Sequence, residues 1–255
     1  DNNTEIDRNA NSYGRLWEIR TLFDTLNDAY QKYYNPSEHL SVDEIIVKFK
    51  GGLILRQYIP KKHKLFVIKI YILCDAAGYT YDMKVYLGKD RTRADRDVTA
   101  TYATFRQLCR RVEGVGHKLY MDNSLTKKIS CCGTFRPNQK GLPQDFRNRQ
   151  LQLKKGDVQV RVRGDMTALV WKDKRDIHML TNMHSPPAAG NFCNEHGNAI
   201  KPATVADYNK HMGYVDKADR MTNSYSISHR TWKWTNKLFF HLLDLTILNS
   251  FIMLS

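Results

Sequence analysis

The sequence lacks the paired cysteines of a disulfide-stabilised protein. Its 255 residues include five cysteines, an odd number without a paired spacing. This argues against a disulfide scaffold and favours a reducing compartment. Cys193 and His196 form a single Cys-x-x-His, but no second pair follows at the spacing of a structural zinc site. We therefore do not predict zinc binding there.

The sequence also lacks an uninterrupted apolar run of membrane-spanning length. The longest apolar stretch, residues 238–254, contains His241, Asp244 and Asn249. Ionisable and amide side chains are costly inside a bilayer, so this pattern predicts a buried helix and no membrane partner. The chain begins at Asp1 without a signal peptide, and we expect it to be a piece of a longer protein.

Acidic residues are scarce relative to basic ones. The chain has 26 Asp and Glu against 40 Lys and Arg, a formal charge of +14. This excess predicts a polyanionic partner, nucleic acid first and an anionic membrane second, although a merely soluble basic protein is also compatible with it. The basic segment 48–64 contains Arg56, Lys61, Lys62 and Lys64, which could cradle phosphates or form the solvated edge of a hairpin. Aromatic-rich RNA-binding segments are absent from the sequence.

Apolar periodicity predicts a mixed α/β chain. Spacings of three and four predict helices over 13–34, 98–112, from Lys201 onward and over 232–252. Apolar runs and alternation predict strands over 41–49, 66–73, 79–87, 118–121 and 129–135. From Leu151 the pattern changes to short strands separated by Gly-Asp and Lys-Asp turns, which predicts an antiparallel β insert up to about residue 200. The last helix is expected to pack on the first.

The segment 66–90 is the centre of the predicted fold. A buried strand ends on Asp75, Gly78 permits a turn, and an alternating strand follows. Asp75 is therefore either an ordinary turn residue or a carboxylate presented at the end of a central strand. A second strand, 118–121, is followed by Asp122, and ligand sites of α/β sheets form at such carboxyl ends.

Two further carboxylates are spaced as on one face of a helix. Asp216 and Asp219 are three residues apart in a predicted helix, where they could also be an exposed acidic face. Magnesium prefers oxygen ligands, and a pair of such ions can promote in-line phosphoryl displacement. Asp75, Asp122 and Asp216 in a basic chain thus indicate a metal-dependent nucleic-acid enzyme, with Mg²⁺ or Mn²⁺ as the cofactor. Asp43 and Glu44 are strand neighbours that face opposite ways, so they are poor candidates for a shared metal.

Four sequence blocks carry a family resemblance. They are SVDEIIVKFKGG…RQYIPKKHK (41–64), IKIYILCDAAGYTYDMKVYLGKD (68–90), HKLYMDN with CCGTFRPNQKGLPQDF (117–146), and VADYNKHMGYVDKADRM…SYSISHRTWKWTNKLFFHLLDLTILNSFI (205–252). In content and order these blocks resemble the piggyBac-type transposases and transposable element-derived proteins. The resemblance covers most of the chain.

The resemblance implies an α/β fold with an RNase H-like catalytic core, an antiparallel β insertion domain and a flanking helical dimerisation and DNA-binding region. It places an N-terminal helical part at 1–66, the core at 67–150 and 201–225, the insertion at 151–200, and a C-terminal helical part at 226–255. By motif, the three catalytic aspartates of the family fall on Asp75, Asp122 and Asp216, with an accessory metal ligand on Asp219.

The resemblance also implies a function. Such enzymes are nuclear and act as homodimers through their flanking helices. They cut and join double-stranded DNA at transposon ends and TTAA targets with Mg²⁺ or Mn²⁺. The segment from Ser124 to Ser130 is shorter than in the family. A second interpretation therefore stays open, in which the chain is a domesticated or degenerate derivative that binds DNA or partners without catalysis.

Overall fold

The computed structural model describes most of the chain as helices and strands in mixed α/β order. The described residues are 16–49, 57–59, 65–86, 100–122, 129–137, 142, 144–147, 151–227 and 231–255. The helices are α1 (Arg20–Lys32), α2 (Ala100–Leu108), α3 (Gln144–Arg147), α4 (Ala203–His211), α5 (Tyr214–Ser224) and α6 (Trp234–Leu254). The strands are β1 (His39–Lys48), β2 (Gln57–Ile59), β3 (Leu65–Asp75), β4 (Thr80–Val85), β5 (Lys118–Asp122), β6 (Ser130–Thr134), β7 (Asp157–Arg163), β8 (Met166–Lys172), β9 (Asp176–Thr181) and β10 (Gly190–Asn191).

The chain divides into two compact units. Unit 1 comprises residues 1–36, 43–108 and 214–255, and unit 2 comprises residues 37–42 and 109–213. Strand β1 contributes its first residues to unit 2 and the remainder to unit 1.

Strand β3 is the centre of unit 1. It has β1 as one neighbour and pairs antiparallel with β2 and β4, with Ile72 opposite Met83. The apolar run that predicted this strand is buried from Val67 to Cys74 apart from Lys69, since helices and strands cover it. The register shifts between Leu73 and Cys74, just before the strand ends.

Helix α6 packs in the core of unit 1 with α1, as the sequence predicted. Leu238, Leu242 and Leu245 belong to the same buried cluster as Phe23 of α1. The hydroxyls of Tyr30 on α1 and Thr246 on α6 lie 2.6 Å apart and share a hydrogen bond.

By length and hydropathy alone, α6 could also cross a membrane. Its polar residues favour a core helix instead. Asp244 is buried and accepts hydrogen bonds from the Ser226 hydroxyl and the Ile227 amide, at 2.8 and 2.9 Å. Asn249 is buried against Thr80 of β4. A bilayer offers such groups no comparable partners.

Unit 2 is built on parallel pairs and a β meander. The first residues of β1 and strand β6 each pair parallel with β5. The strands β9, β8, β7 and β10 then follow β6 in antiparallel order. The short strands predicted within the β insert are thus present as β7, β8 and β9.

Two predicted elements differ from the structure. Leu151 and Leu153 do not form a strand; they pack against the apolar cluster around Phe146 without ladder hydrogen bonds. The helical region after Lys201 is interrupted at Met212 and Gly213, so it forms two helices, α4 and α5. Apolar spacing continues through this break, which is why periodicity alone did not reveal it.

Candidate active site

Asp75 ends β3, and its carboxylate is fixed by the turn that follows. Its Oδ1 accepts hydrogen bonds from the amides of Ala77 and Tyr79, at 3.0 and 3.1 Å. Its Oδ2 accepts one from the Tyr34 hydroxyl at 2.8 Å, and the residue is only 1% exposed. Asp75 is therefore a turn residue by geometry, and the same contacts give its carboxylate a single orientation.

Tyr34 is held as a hydrogen-bond donor to Asp75. Its ring stacks on that of Tyr79, with centroids 3.7 Å apart. Burial, followed by the hydrogen bond and the charge of Asp75, raises the pKa of Tyr34, so the phenol keeps its proton at neutral pH. Burial also raises the pKa of Tyr79 to about 12, and its hydroxyl donates to the Tyr30 carbonyl at 3.0 Å.

Helix α5 lies against the Asp75 turn in unit 1. Lys217 Nζ donates to the Ala76 carbonyl at 2.8 Å. Gly78 has a φ of +90°, and a Cβ there would lie 3.7 Å from the backbone nitrogen of Ala218. The structure therefore brings Asp75 and the first turn of α5, which carries Asp216, onto neighbouring segments.

The two predicted aspartates of α5 have different surroundings. Asp216 is exposed in the first turn, where the helix dipole favours a negative charge. Asp219, one turn later, is half-buried, and its Oδ1 accepts a hydrogen bond from Asn223 at 2.9 Å. Their spacing of three places them on one side of α5, as predicted.

Asp122 ends β5 in unit 2 and is exposed. Its Oδ1 accepts hydrogen bonds from two hydroxyls, those of Thr134 on β6 and Tyr208 on α4. Neither hydroxyl was singled out in the sequence, since their proximity to Asp122 depends on strand pairing and helix packing.

A polar cluster in unit 2 was missed by sequence analysis. Asp207 of α4 accepts hydrogen bonds from the Tyr120 hydroxyl, at 2.7 Å, and lies 2.9 Å from Nε2 of His184 and 3.1 Å from Nδ1 of His211. His39 stacks on His211, with centroids 4.1 Å apart. The spacing of Asp207 and His211 by four on a helix was the one local signal for this cluster.

The charge of Asp207 is stabilised by these neighbours. Burial raises its pKa, but the hydrogen bonds from Tyr120 and His184 and the charge of His211 outweigh burial, so the pKa lies below its usual value. Burial, followed by the charge of His211, lowers the pKa of His39. The cluster therefore fixes α4 to β5 and β1 within unit 2.

Comparison with known proteins identifies the family. A family model described as Transposase IS4 matches residues 1–251. The chain belongs to this transposase family, and within it to the piggyBac type. It is 23% identical, over 273 residues and 96% of its length, to the human PiggyBac transposable element-derived protein 5, of which the match covers 51%.

A solved structure agrees with this family assignment. The chain resembles a piggyBac transposase in a synaptic complex with hairpin DNA, with a TM-score of 0.77 and 26% identity. The match covers 92% of this chain and 50% of that one. The chain thus spans about half the length of both piggyBac relatives. The sequence-based recognition of a piggyBac-type transposase is confirmed, and so is a mixed α/β fold similar to that of the piggyBac transposase.

The residues predicted to hold metal have donors suited to Mg²⁺ or Mn²⁺, because all four are carboxylates and hard cations prefer oxygen. Within the described ranges, no three His, Cys, Asp or Glu side chains converge as a ready-made metal-binding group. DDE-type transposases generally use a divalent metal. Which of Asp75, Asp122, Asp216 and Asp219 bind one in this piggyBac-type chain remains a prediction.

The other predicted sites can be placed in part. Arg56, Lys61, Lys62 and Lys64, the predicted DNA-binding residues, lie outside the described residues. Glu44 forms an ion pair with Lys69 at 2.6 Å.

The Cys-x-x-His of unit 2 also has other contacts. Cys193 is exposed, and its Sγ donates to the Lys155 carbonyl at 3.4 Å. The cysteines of the chain are free thiols, in agreement with the absence of a disulfide scaffold.

Proposed function

We propose that this chain is the catalytic part of a piggyBac-type transposase, which cleaves double-stranded DNA at transposon ends and joins the ends to TTAA targets. The observation that carries the proposal is the position of Asp75. Its carboxylate is fixed at the end of a buried strand, on a turn that packs against the first turn of α5, where Asp216 lies. Sites of α/β folds form at the carboxyl ends of central strands, and the Asp75 carboxylate lies at such an end.

By the family resemblance, the residues that we propose as catalytic are Asp75, Asp122 and Asp216, with Asp219 as an accessory metal ligand. Bound Mg²⁺ or Mn²⁺ ions would supply charge stabilisation to the attacking and leaving oxygens of phosphoryl transfer. The chain's own contribution is to orient the carboxylates. The Ala77 and Tyr79 amides and the Tyr34 hydroxyl do so for Asp75, because together they hold both of its carboxylate oxygens.

The finer parts of this proposal follow from the resemblance. Residues 67–150 and 201–225 would form an RNase H-like core, and the flanking helices would serve dimerisation and DNA binding in the nucleus. The similar solved structure is a piggyBac transposase synaptic complex with hairpin DNA, which supports DNA as the partner. With 40 basic and 26 acidic residues, the chain has a positive net charge, which favours binding to the negatively charged DNA backbone.

A second function is favoured by the burial of Asp75. A carboxylate that is 1% exposed and already holds three hydrogen bonds is also what a purely structural turn requires. In that case the chain is a transposase-derived protein that binds DNA or partners without cutting. The similar human protein is likewise named as transposable element-derived.

Strand cleavage distinguishes the two functions. We would incubate a labelled TTAA-containing duplex with Mg²⁺ or Mn²⁺ and compare wild type, Asp216→Asn and the control Asp165→Asn, which changes an exposed turn carboxylate of unit 2. The transposase proposal predicts nicking by wild type and the control and a loss of at least about a hundredfold in Asp216→Asn, as expected when a metal ligand is removed. Nicking by Asp216→Asn at the wild-type rate would refute the proposed site. Salt-sensitive DNA binding without nicking by any variant would establish the second function.

A further inference from the structure

The carboxylate of Asp122 is held on one side only. Its Oδ1 accepts hydrogen bonds from the hydroxyls of Thr134 and Tyr208, the latter at 3.2 Å. A carboxylate oxygen accepts two hydrogen bonds through its two lone pairs, so these two donors match the capacity of Oδ1. Oδ2 has no hydrogen-bond partner in the part of the chain that the structure describes, and the residue is exposed.

Strand pairing brings Thr134 to this position. Strands β5 and β6 are parallel and in register, with Asp122 opposite Thr134. Side chains of residues opposite each other on neighbouring strands lie on the same face, so the Thr134 hydroxyl reaches the carboxylate directly. Both residues end their strands, at the edge where the carboxyl ends of β5 and β6 meet.

Helix packing brings Tyr208 to the same carboxylate. Tyr120 and Asp122 are two residues apart on β5 and therefore on one face, and Asp207 and Tyr208 are neighbours on α4. The Tyr120 hydroxyl donates to Asp207 at 2.7 Å, while the Tyr208 hydroxyl donates to Asp122. Two hydroxyl–carboxylate hydrogen bonds therefore join β5 and α4, and each element donates one of them and accepts the other.

The Asp207 end of this pair of hydrogen bonds is anchored more firmly than the Asp122 end. Nε2 of His184, which follows β9, lies 2.9 Å from the Asp207 carboxylate, and the buried His211 of α4 stacks on Tyr120 of β5 with centroids 4.6 Å apart. These contacts fix the position of α4 on β5 and with it the Tyr208 phenol. The hydroxyl that reaches Asp122 therefore comes from a helix that is held on β5 by a second set of contacts.

We propose that Tyr208 and Thr134 are positioning residues for Asp122, which hold Oδ1 so that Oδ2 is directed at a divalent cation. The inference rests on the proposed function, in which Asp122 is a metal ligand. The two hydroxyls are neutral donors, so they orient the carboxylate without neutralising the charge that attracts the cation. Hydrogen-bond partners of metal-ligating carboxylates typically contribute 10- to 100-fold to metal affinity.

The test measures Mn²⁺ affinity directly, by calorimetric titration of the full chain. The variants are Tyr208→Phe and Thr134→Val, which each remove one hydroxyl with little change in shape, and Asp122→Asn. The controls are Thr134→Ser, which keeps the hydroxyl, and Tyr225→Phe, which changes a 90% exposed tyrosine of unit 1. Thermal unfolding in chelator establishes that each variant is folded before titration.

We expect Tyr208→Phe and Thr134→Val each to weaken Mn²⁺ binding by about 10- to 100-fold, and the two controls to bind as wild type does. We also expect DNA nicking by Tyr208→Phe to recover at saturating Mn²⁺, because a positioning residue changes the metal requirement more than the rate with metal bound. A purely structural role would lower thermal stability and leave the Mn²⁺ affinity unchanged.

Two negative results have different meanings. If Asp122→Asn abolishes Mn²⁺ binding while Tyr208→Phe and Thr134→Val bind as wild type does, the positioning inference is wrong and the proposed metal site stands. If wild type and Asp122→Asn bind Mn²⁺ equally, Asp122 is not a ligand. Both its proposed role in metal binding and the positioning inference are then wrong. Tighter binding by Tyr208→Phe would also overturn the inference, because the phenol would then be a competitor of the cation.

Discussion

The docking of α6 in unit 1 can be tested at Asn249. This residue is 2% exposed, and its side chain makes two hydrogen bonds to the backbone of Thr80 at the start of β4. Its Oδ1 accepts from the Thr80 amide at 2.9 Å, and its Nδ2 donates to the Thr80 carbonyl at 2.8 Å. Asn249→Leu removes both bonds while keeping a side chain of similar size.

The expected loss in the free energy of unfolding comes from the amide and carbonyl of Thr80, which Asn249→Leu leaves without a partner. Thr80 is fully buried, so water cannot replace Asn249 as the partner of its amide or carbonyl. An unsatisfied buried polar group costs about 1–3 kcal/mol, which gives a loss of about 2–6 kcal/mol for the pair. The better helix propensity of Leu returns about 0.5 kcal/mol of this. A loss of this size is a large part of the 5–15 kcal/mol by which a typical domain is stable.

Urea unfolding at equilibrium measures this loss. Wild type and Asn249→Leu are compared at one pH, with Ser250→Ala as a control at the adjacent exposed position of α6. The midpoint should fall for Asn249→Leu at an unchanged slope, and Ser250→Ala should stay within about 0.5 kcal/mol of wild type.

The opposite result would be equally informative. A loss below about 1 kcal/mol would mean that Asn249 does not hold Thr80 in solution and that the α6 contacts described above are wrong. Asn249→Leu would even be favourable if α6 spanned a bilayer, because Leu is more stable than Asn in hydrocarbon. The sign of the change therefore distinguishes a core helix from a membrane span.

Two further predictions concern His241 and Gly156, which lie outside the proposed site. Burial, partly offset by Asp244, lowers the pKa of His241 to about 4, and its Nε2 has no hydrogen-bond partner among the described residues. Below about pH 6.5 the imidazole is protonated in the unfolded chain but stays neutral in the folded one. The free energy of unfolding of wild type should therefore fall by up to about 3 kcal/mol between pH 6.5 and 4 in denaturant titrations. His241→Phe should flatten this decline, and an equally steep decline in the variant would contradict the prediction. Gly156 has a φ of +89°, and a Cβ there would lie 2.8 Å from the Phe192 carbonyl oxygen, so Gly156→Ala should lower stability by about 1–3 kcal/mol in urea unfolding. Gly164→Ala, with a φ of +61° and open space around it, controls for backbone strain alone and should lose less.

Much of the fold was predictable because its signals are local. The apolar run of β3 and the alternation of β4 predicted both strands, and Gly78 correctly marked the turn between them. The last helix was correctly predicted from its apolar spacing, but it is buried only in part, since Phe251 is 62% and Leu254 89% exposed. The break between α4 and α5 was missed, since Met212 and Gly213 interrupt the backbone without interrupting the apolar pattern.

The surroundings of the predicted carboxylates could not be derived from local patterns. Tyr34 is 41 residues from Asp75, and Tyr208 is 86 residues from Asp122. Contacts at such distances arise from strand order and helix packing, which periodicity does not determine. The positions of Asp75 and Asp122 at strand ends were predicted from sequence, whereas the hydroxyls that orient them required the structure.

The two proposed functions would depend on different properties of the chain, because DNA binding and DNA cleavage make different demands on it. DNA binding through phosphate contacts depends on many basic side chains, and its logarithm falls linearly with the logarithm of salt concentration. Cleavage, if the chain performs it, would depend on a few carboxylates, and Tyr34 donates the hydrogen bond to Oδ2 of Asp75. Tyr34→Phe should therefore leave the salt dependence of DNA binding unchanged in either case, because no phosphate contact is lost. If the chain is a transposase, the same substitution should raise the metal concentration needed for nicking by about 10- to 100-fold.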